Sequence, residues 1–177
     1  MSWVRADHVD EMPPSNYPTT SPALEFNDVC WARIEPYIRW RFTPRTVEWF
    51  ANGCGYFEPN LQPYNVTDVA VWSNRAKVWE TTTLDPSPRG GFYLPSTGPW
   101  RIRATVGGGS PAPVVPAIVW EAVKRLSAYM SAKTGAAGAR SESISAGSIS
   151  IQRTRDPAWM ANAMQNSGAA DLLRSFR

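Results

Sequence analysis

The hydrophobic period of this chain changes across Gly107–Pro111, and that change limits what it can fold into. Before the break, Trp100, Ile102, Ala104 and Val106 alternate with Arg101, Arg103 and Thr105. Period two of this kind predicts a strand with one buried and one wet face. After the break, Val115, Ile118, Val119, Ala122, Val123, Leu126, Tyr129 and Met130 recur at helical spacing. They predict an amphipathic helix from about 114 to Lys133. Pro116 is tolerated in its first turn, Lys133 suits its last, and Gly135 is a natural stop. Gly107-Gly108-Gly109-Ser110 lacks the Gly-Lys-Ser/Thr ending of a phosphate-binding loop and reads as a flexible joint.

Upstream, residues 45–106 read as β structure. Thr46 to Trp49 alternates. Val66, Asp68, Ala70 and Trp72 are expected on one face of a strand, with Thr67, Val69 and Val71 on the other. Lys77 to Thr81 follows after a turn at Ser73-Asn74-Arg75, and Gly91 to Leu94 is a short strand between turns. The connections are too short for parallel crossovers, so the pairing is expected to be antiparallel. An earlier helix is expected over 28–42, capped by Asn27 or Asp28 and disturbed at Pro36, which lacks an amide hydrogen. The fold class is therefore α+β: a small helical core of two main helices, with an antiparallel β region inserted between them.

Four segments follow from this pattern. Residues 1–26, broken by Pro13, Pro14, Pro18 and Pro22, form an extended N-terminal arm that also carries Trp3, Met12, Tyr17, Leu24 and Phe26. Residues 27–134 form the α+β core domain. Residues 135–155, rich in Gly, Ala and Ser, are a linker or an arm; Ile144, Ile149 and Ile151 favour an arm that adds to another sheet. Residues 156–177 are a C-terminal helical tail. Asp156 caps its helix, Pro157 takes the first position, Ala158–Met164 form the body, and Leu172, Leu173 and Phe176 form an amphipathic last turn.

Charged residues are only 19% of the chain, against nine Trp in 177 residues. Either the Trp fill the core of a small sheet, or part of the surface is covered by partners, where aromatics are favoured. The net charge of +3 carries no dense basic block, and only Lys77, Lys124 and Lys133 are lysines. Arg suits forked pairing with carboxylates at interfaces. Cys30 and Cys54 fit no metal or redox spacing and are expected to be reduced. No apolar run reaches the length of a membrane span, and the polar opening residues do not read as a secretory signal.

Chemistry is sparse. His8 is the single histidine, which removes His-based triads and multi-His metal sites. Asp10 and Glu11 lie in the arm, and Asp28, Glu35, Glu48 and Glu58 are scattered over different elements. Arg101 and Arg103 share a strand face, where solvation is favoured over phosphate contact. No catalytic residue, cofactor or metal is expected, and the chain reads as a protein that is not an enzyme and works by docking to other proteins.

Three stretches resemble the head–tail connector, or adaptor, family of tailed bacteriophages. They are Ile34-Glu35-Pro36-Tyr37-Ile38 through Phe42-Thr43-Pro44-Arg45; Thr83–Pro88 with Gly98–Gly107 and the helix that follows; and the closing Asn166–Arg177. The match spans roughly residues 28–177. The extended N-terminal arm and the large β insertion depart from the family pattern. The resemblance implies a structural virion protein of the neck, made in the host cytoplasm. It would form a ring of about twelve copies beneath the portal protein and continue the DNA channel without sequence-specific binding. Its far side would receive the stopper or tail proteins. Leu172, Leu173, Arg174, Phe176 and Arg177 match the segment that would insert against the portal, and Trp159 and Met160 extend this candidate portal-binding set. The alternatives are a neighbouring neck component, such as a stopper or tail-end protein, and a non-viral binding module built on exposed aromatics.

Overall fold

The computed structural model describes residues 4–109, 113–132, 141–146, 149–154 and 159–176. The fold is α+β, with the main antiparallel β region, apart from one strand that precedes the first helix, lying between the two longer helices in sequence. The chain forms two compact units. One comprises Met1–Pro18 and Arg39–Val114, the other Thr19–Ile38 and Val115–Arg177.

The first unit is all β. Strands β1 (Arg5–Glu11), β2 (Arg45–Asn52), β4 (Tyr64–Ser73), β5 (Val78–Thr81) and β8 (Trp100–Val106) form an antiparallel sheet in the order β1-β2-β8-β4-β5. Strands β3 (Gly55–Phe57), β6 (Asp85–Pro86) and β7 (Phe92–Leu94) form a second, smaller sheet in the order β3-β7-β6. The alternation read in Trp100–Val106 is kept residue for residue: Trp100, Ile102, Ala104 and Val106 are buried, and the residues between them are not. Val47, Trp49 and Ala51 of β2 bury beside them, with Phe57 and Leu94 from the small sheet closing the core. Trp49 packs edge-on to Phe57, with ring centres 6.5 Å apart, and its indole nitrogen donates to Asn60 Oδ1 at 3.0 Å.

Three expectations change here. Part of the supposed N-terminal arm, β1, is an edge strand of the main sheet and pairs with β2 of its own chain. Second, Val66 faces the core opposite Ala104. The register shifts between Val66 and Asp68, so Val66, Val69 and Val71 share the core side while Asp68, Ala70 and Trp72 share the other. One extra residue at a bulge reverses the face of everything beyond it. Third, Gly107 is packed. Its φ is +69°, its N–H donates to Pro63 O at 3.0 Å, and a Cβ there would collide with the Thr43 carbonyl.

The second unit is mainly helical. Helix α1 (Asn27–Ile38) ends four residues earlier than expected. Arg39 takes φ +56°, which breaks the helix, and Trp40 and Phe42 belong to the β unit. Pro36 sits inside α1. Helix α2 (Ala117–Ser131) lies within the expected range, with Pro116 in its N-cap position and extended backbone at Ala132. Lys133 and Gly135 lie outside the described residues.

Cys30, Trp31 and Ile34 of α1 and Val119, Ala122, Val123 and Leu126 of α2 are completely buried. Full burial of one large apolar side chain contributes roughly 1.5–3 kcal/mol. Trp31 meets Trp120 edge-on, ring centres 5.3 Å apart, and the Ser127 hydroxyl donates to the Glu25 carbonyl.

Strands β9 (Ser141–Ala146) and β10 (Ile149–Thr154) form a separate two-stranded antiparallel ribbon with Ile151 opposite Ile144. Residues 135–155, read as a linker or arm, thus contain a hairpin. The tail helix expected over Ala158–Met164 is instead α3 (Ala163–Asn166), preceded by turns, and α4 (Ala169–Leu172) leads into a 3-10 turn at Arg174–Phe176. Asp156 and Pro157 lie outside the described residues.

Candidate functional site

The tail residues expected to meet a partner divide into two groups. Leu173 is completely buried, as are Ala163 and Ala169, so part of the tail belongs to the core of the helical unit. Trp159 is half-buried, its ring 5.7 Å from that of Tyr129. The Met160 carbonyl accepts a hydrogen bond from Arg33 Nη1 at 2.8 Å. These five positions hold the tail down. Leu172 and Phe176 are half-buried, and Arg174 is exposed, its Nη2 3.0 Å from Asp171 Oδ1. Such an exposed pair is worth under ~1 kcal/mol, far less than the burial of Leu173. Arg177 lies outside the described residues.

A second surface, on the five-stranded sheet, was not legible from the sequence. The face opposite the core carries Phe50, Trp72 and Trp79 side by side. Trp79 lies 5.6 Å from Phe50 and 5.4 Å from Trp72, centre to centre. The Arg101 guanidinium sits 5.0 Å from the Trp79 ring centre, within cation–π range. Its Nη2 is a loose 3.8 Å from Asp68 Oδ2, and its Nε is buried without a hydrogen-bond partner. These residues come from four strands, β2, β4, β5 and β8, so only the pairing register assembles them.

Next along the same face lies a groove of about 290 Å³ lined by Asp10, Met12, Thr46, Glu48, Thr67 and Arg103, among others. Arg103 Nε donates to Glu48 Oε2 at 2.5 Å, and this contact holds the guanidinium proton more tightly than usual. Asp10 stands opposite Glu48, whereas Glu11 pairs with Val47 on the core side, so the two neighbouring carboxylates do not work together. Glu11 instead binds Arg41 and Arg45.

Among the described residues, no group of three or more His, Cys, Asp or Glu side chains is placed to hold a metal. No helix there is long and apolar enough to cross a membrane. Neither cysteine is in a disulfide; burial pushes Cys30 up to about 11, and its sulfur lies 4.0 Å from Met130 Sδ. Such a thiol is a core residue rather than a nucleophile. Comparison with protein-family models, with curated proteins and with solved structures returned no match.

Proposed function

We propose that this chain is a structural subunit of a tailed-phage neck, a head–tail adaptor that forms a ring beneath the portal. The order of sequence motifs that resembles that family supports it. The observation that carries the reading furthest is the β9–β10 ribbon. It has two strands of six residues, and no third strand pairs with either edge among the described residues. A two-stranded ribbon is marginal in water on its own, and its open edges are templates for strands from a neighbour. A closed ring supplies a neighbour on each side of every copy. Leu172, Arg174 and Phe176 then form the surface offered to the portal, anchored from beneath by Leu173.

Co-sedimentation of the full chain with purified portal rings of the same virus tests this. The wild-type chain is expected to travel with the rings, and a chain carrying Arg174→Ala and Phe176→Ala to stay behind while remaining folded. A wild-type chain that never joins the rings contradicts the proposal.

A further inference from the structure

We infer that the open face of the five-stranded sheet is a carbohydrate-binding site, taking a neutral oligosaccharide across the Trp79 cluster and into the adjoining groove. The inference is independent of the adaptor reading. It rests on what one face of one sheet brings together. A sugar presents an apolar C–H face and a rim of hydroxyls, so its site needs aromatic surface next to fixed polar groups. Phe50, Trp72 and Trp79 supply the surface, with Trp79 tilted against Phe50 and edge-on to Trp72. The groove supplies the polar groups: the Asp10 and Glu48 carboxylates as acceptors, Arg103 as a forked donor, and the Thr46 and Thr67 hydroxyls as either. At about 290 Å³ the groove is near the lower limit for small-molecule sites, matching one or two sugar rings.

The two parts are in register. Arg101, in the aromatic cluster, and Arg103, in the groove, are successive same-face residues of β8. Such positions are roughly 7 Å apart, so an oligosaccharide lying along the strand would touch both. Arg103 is braced by Glu48, which limits the ordering cost of binding. The buried, unsatisfied Arg101 Nε is an anomaly for a finished surface, since buried donors are nearly always paired. A small shift of Arg101 off Trp79 as a ligand arrives would give that donor an oxygen.

Charge decides against a polyanion. Aromatics and arginines on a sheet also suit single-stranded nucleic acid. Here, however, Arg5, Arg101 and Arg103 share the face with Asp7, Asp10, Glu48 and Asp68, so carboxylates outnumber guanidinium groups. A phosphate chain would meet net repulsion, and a neutral polyhydroxylated ligand would not.

The experiment is affinity gel electrophoresis of the full chain through four soluble neutral polysaccharides: a β-1,3-glucan, an α-mannan, a galactomannan and a xylan. Polygalacturonate and single-stranded DNA serve as charged comparisons. At least one neutral polymer is expected to retard the wild-type chain. Trp79→Ala is expected to weaken that retardation by about tenfold or more, the scale of losing a buried aromatic contact. Asp10→Ala, at an exposed position on the edge strand β1, should weaken it as well. Tyr93→Ala, an exposed aromatic on the smaller sheet, should leave it unchanged. Indifference to all four neutral polymers, or equal retardation of wild type, Trp79→Ala and Asp10→Ala, overturns the inference. So does preference for either polyanion, or a self-association of the chain that Trp79→Ala abolishes, which would make the face a protein contact.

Discussion

Arg41 grips Glu11 as a two-pronged fork, with Nε 2.6 Å from Oε1 and Nη2 2.9 Å from Oε2. Arg45 Nη1 adds a third contact at 3.1 Å, and the Arg45 guanidinium lies 5.7 Å from the Tyr17 ring centre. Both arginine side chains are 5% exposed and that of Glu11 18%. Glu11 closes β1, and Arg45 opens β2, so the clasp fixes the end of the edge strand. Breaking a buried pair by removing one partner leaves uncompensated charge. Glu11→Gln is therefore expected to destabilise the β unit by about 3 kcal/mol, read as a lower urea midpoint. Glu48→Gln, whose partner Arg103 is half-exposed, should shift the midpoint far less. Equal midpoints for wild type and Glu11→Gln would remove the clasp from the account.

Leu173 ties the tail to the helical core. The sequence reading places residues 156–177 outside the core domain, as a C-terminal tail. Full burial of Ala163, Ala169 and Leu173 alters that expectation. Leu173→Ala should cost about 2–5 kcal/mol, as for other buried Leu truncations. Truncation at 162 should leave the helical unit molten, visible as lost near-ultraviolet dichroism. A native spectrum after truncation would return the tail to the status of an appendage.

Gly107 is required by geometry. Its positive φ and the approach of the Thr43 carbonyl leave no room for a Cβ. Gly107→Ala is expected to cost more than about 1 kcal/mol, whereas Gly90→Ala, with open space around its Cβ position and the same φ sign, should cost less. The difference in thermal midpoints between the two variants checks this.

Cys30 should be chemically silent in the folded state. Its raised pKa favours the neutral thiol, and the partly exposed Cys54 is the one to alkylate first. Peptide mapping after iodoacetamide treatment at pH 8 should find Cys54 labelled and Cys30 protected until denaturant is added. The sign of the linkage follows: the folded state holds the Cys30 proton more tightly than the unfolded state, so its contribution is intact below about pH 9 and is lost as pH rises towards 11. Cys30→Ala should flatten that alkaline loss.

Much of the fold was legible where a single element carries its own period. Trp100–Val106 and the helix around Ala117–Ser131 announce themselves because their buried faces repeat without interruption. The strand β1 was hidden, since Arg5, Asp7 and Asp10 put charges on an edge and Pro13 and Pro14 follow at once. Those charges fit an edge strand, which must discourage further pairing. The end of α1 was missed because Arg39 adopts a left-handed conformation that Gly or Asn would have signalled. The bulge between Val66 and Asp68 has no composition cue at all. The tail residues were found as a segment, but burial, which separates Leu173 from Arg174, depends on tertiary packing. The Phe50–Trp72–Trp79–Arg101 cluster was out of reach because it is a property of register across the sheet.

The central claim is that the chain assembles. The most direct measurement is the mass of the purified protein in solution, alone and after addition of portal rings. Each chain weighs 19.6 kDa, so a twelve-membered ring comes to about 235 kDa. The account predicts a species of that order, either spontaneously or as mass added to the portal. A strict 19.6 kDa monomer that leaves portal mass unchanged would contradict it.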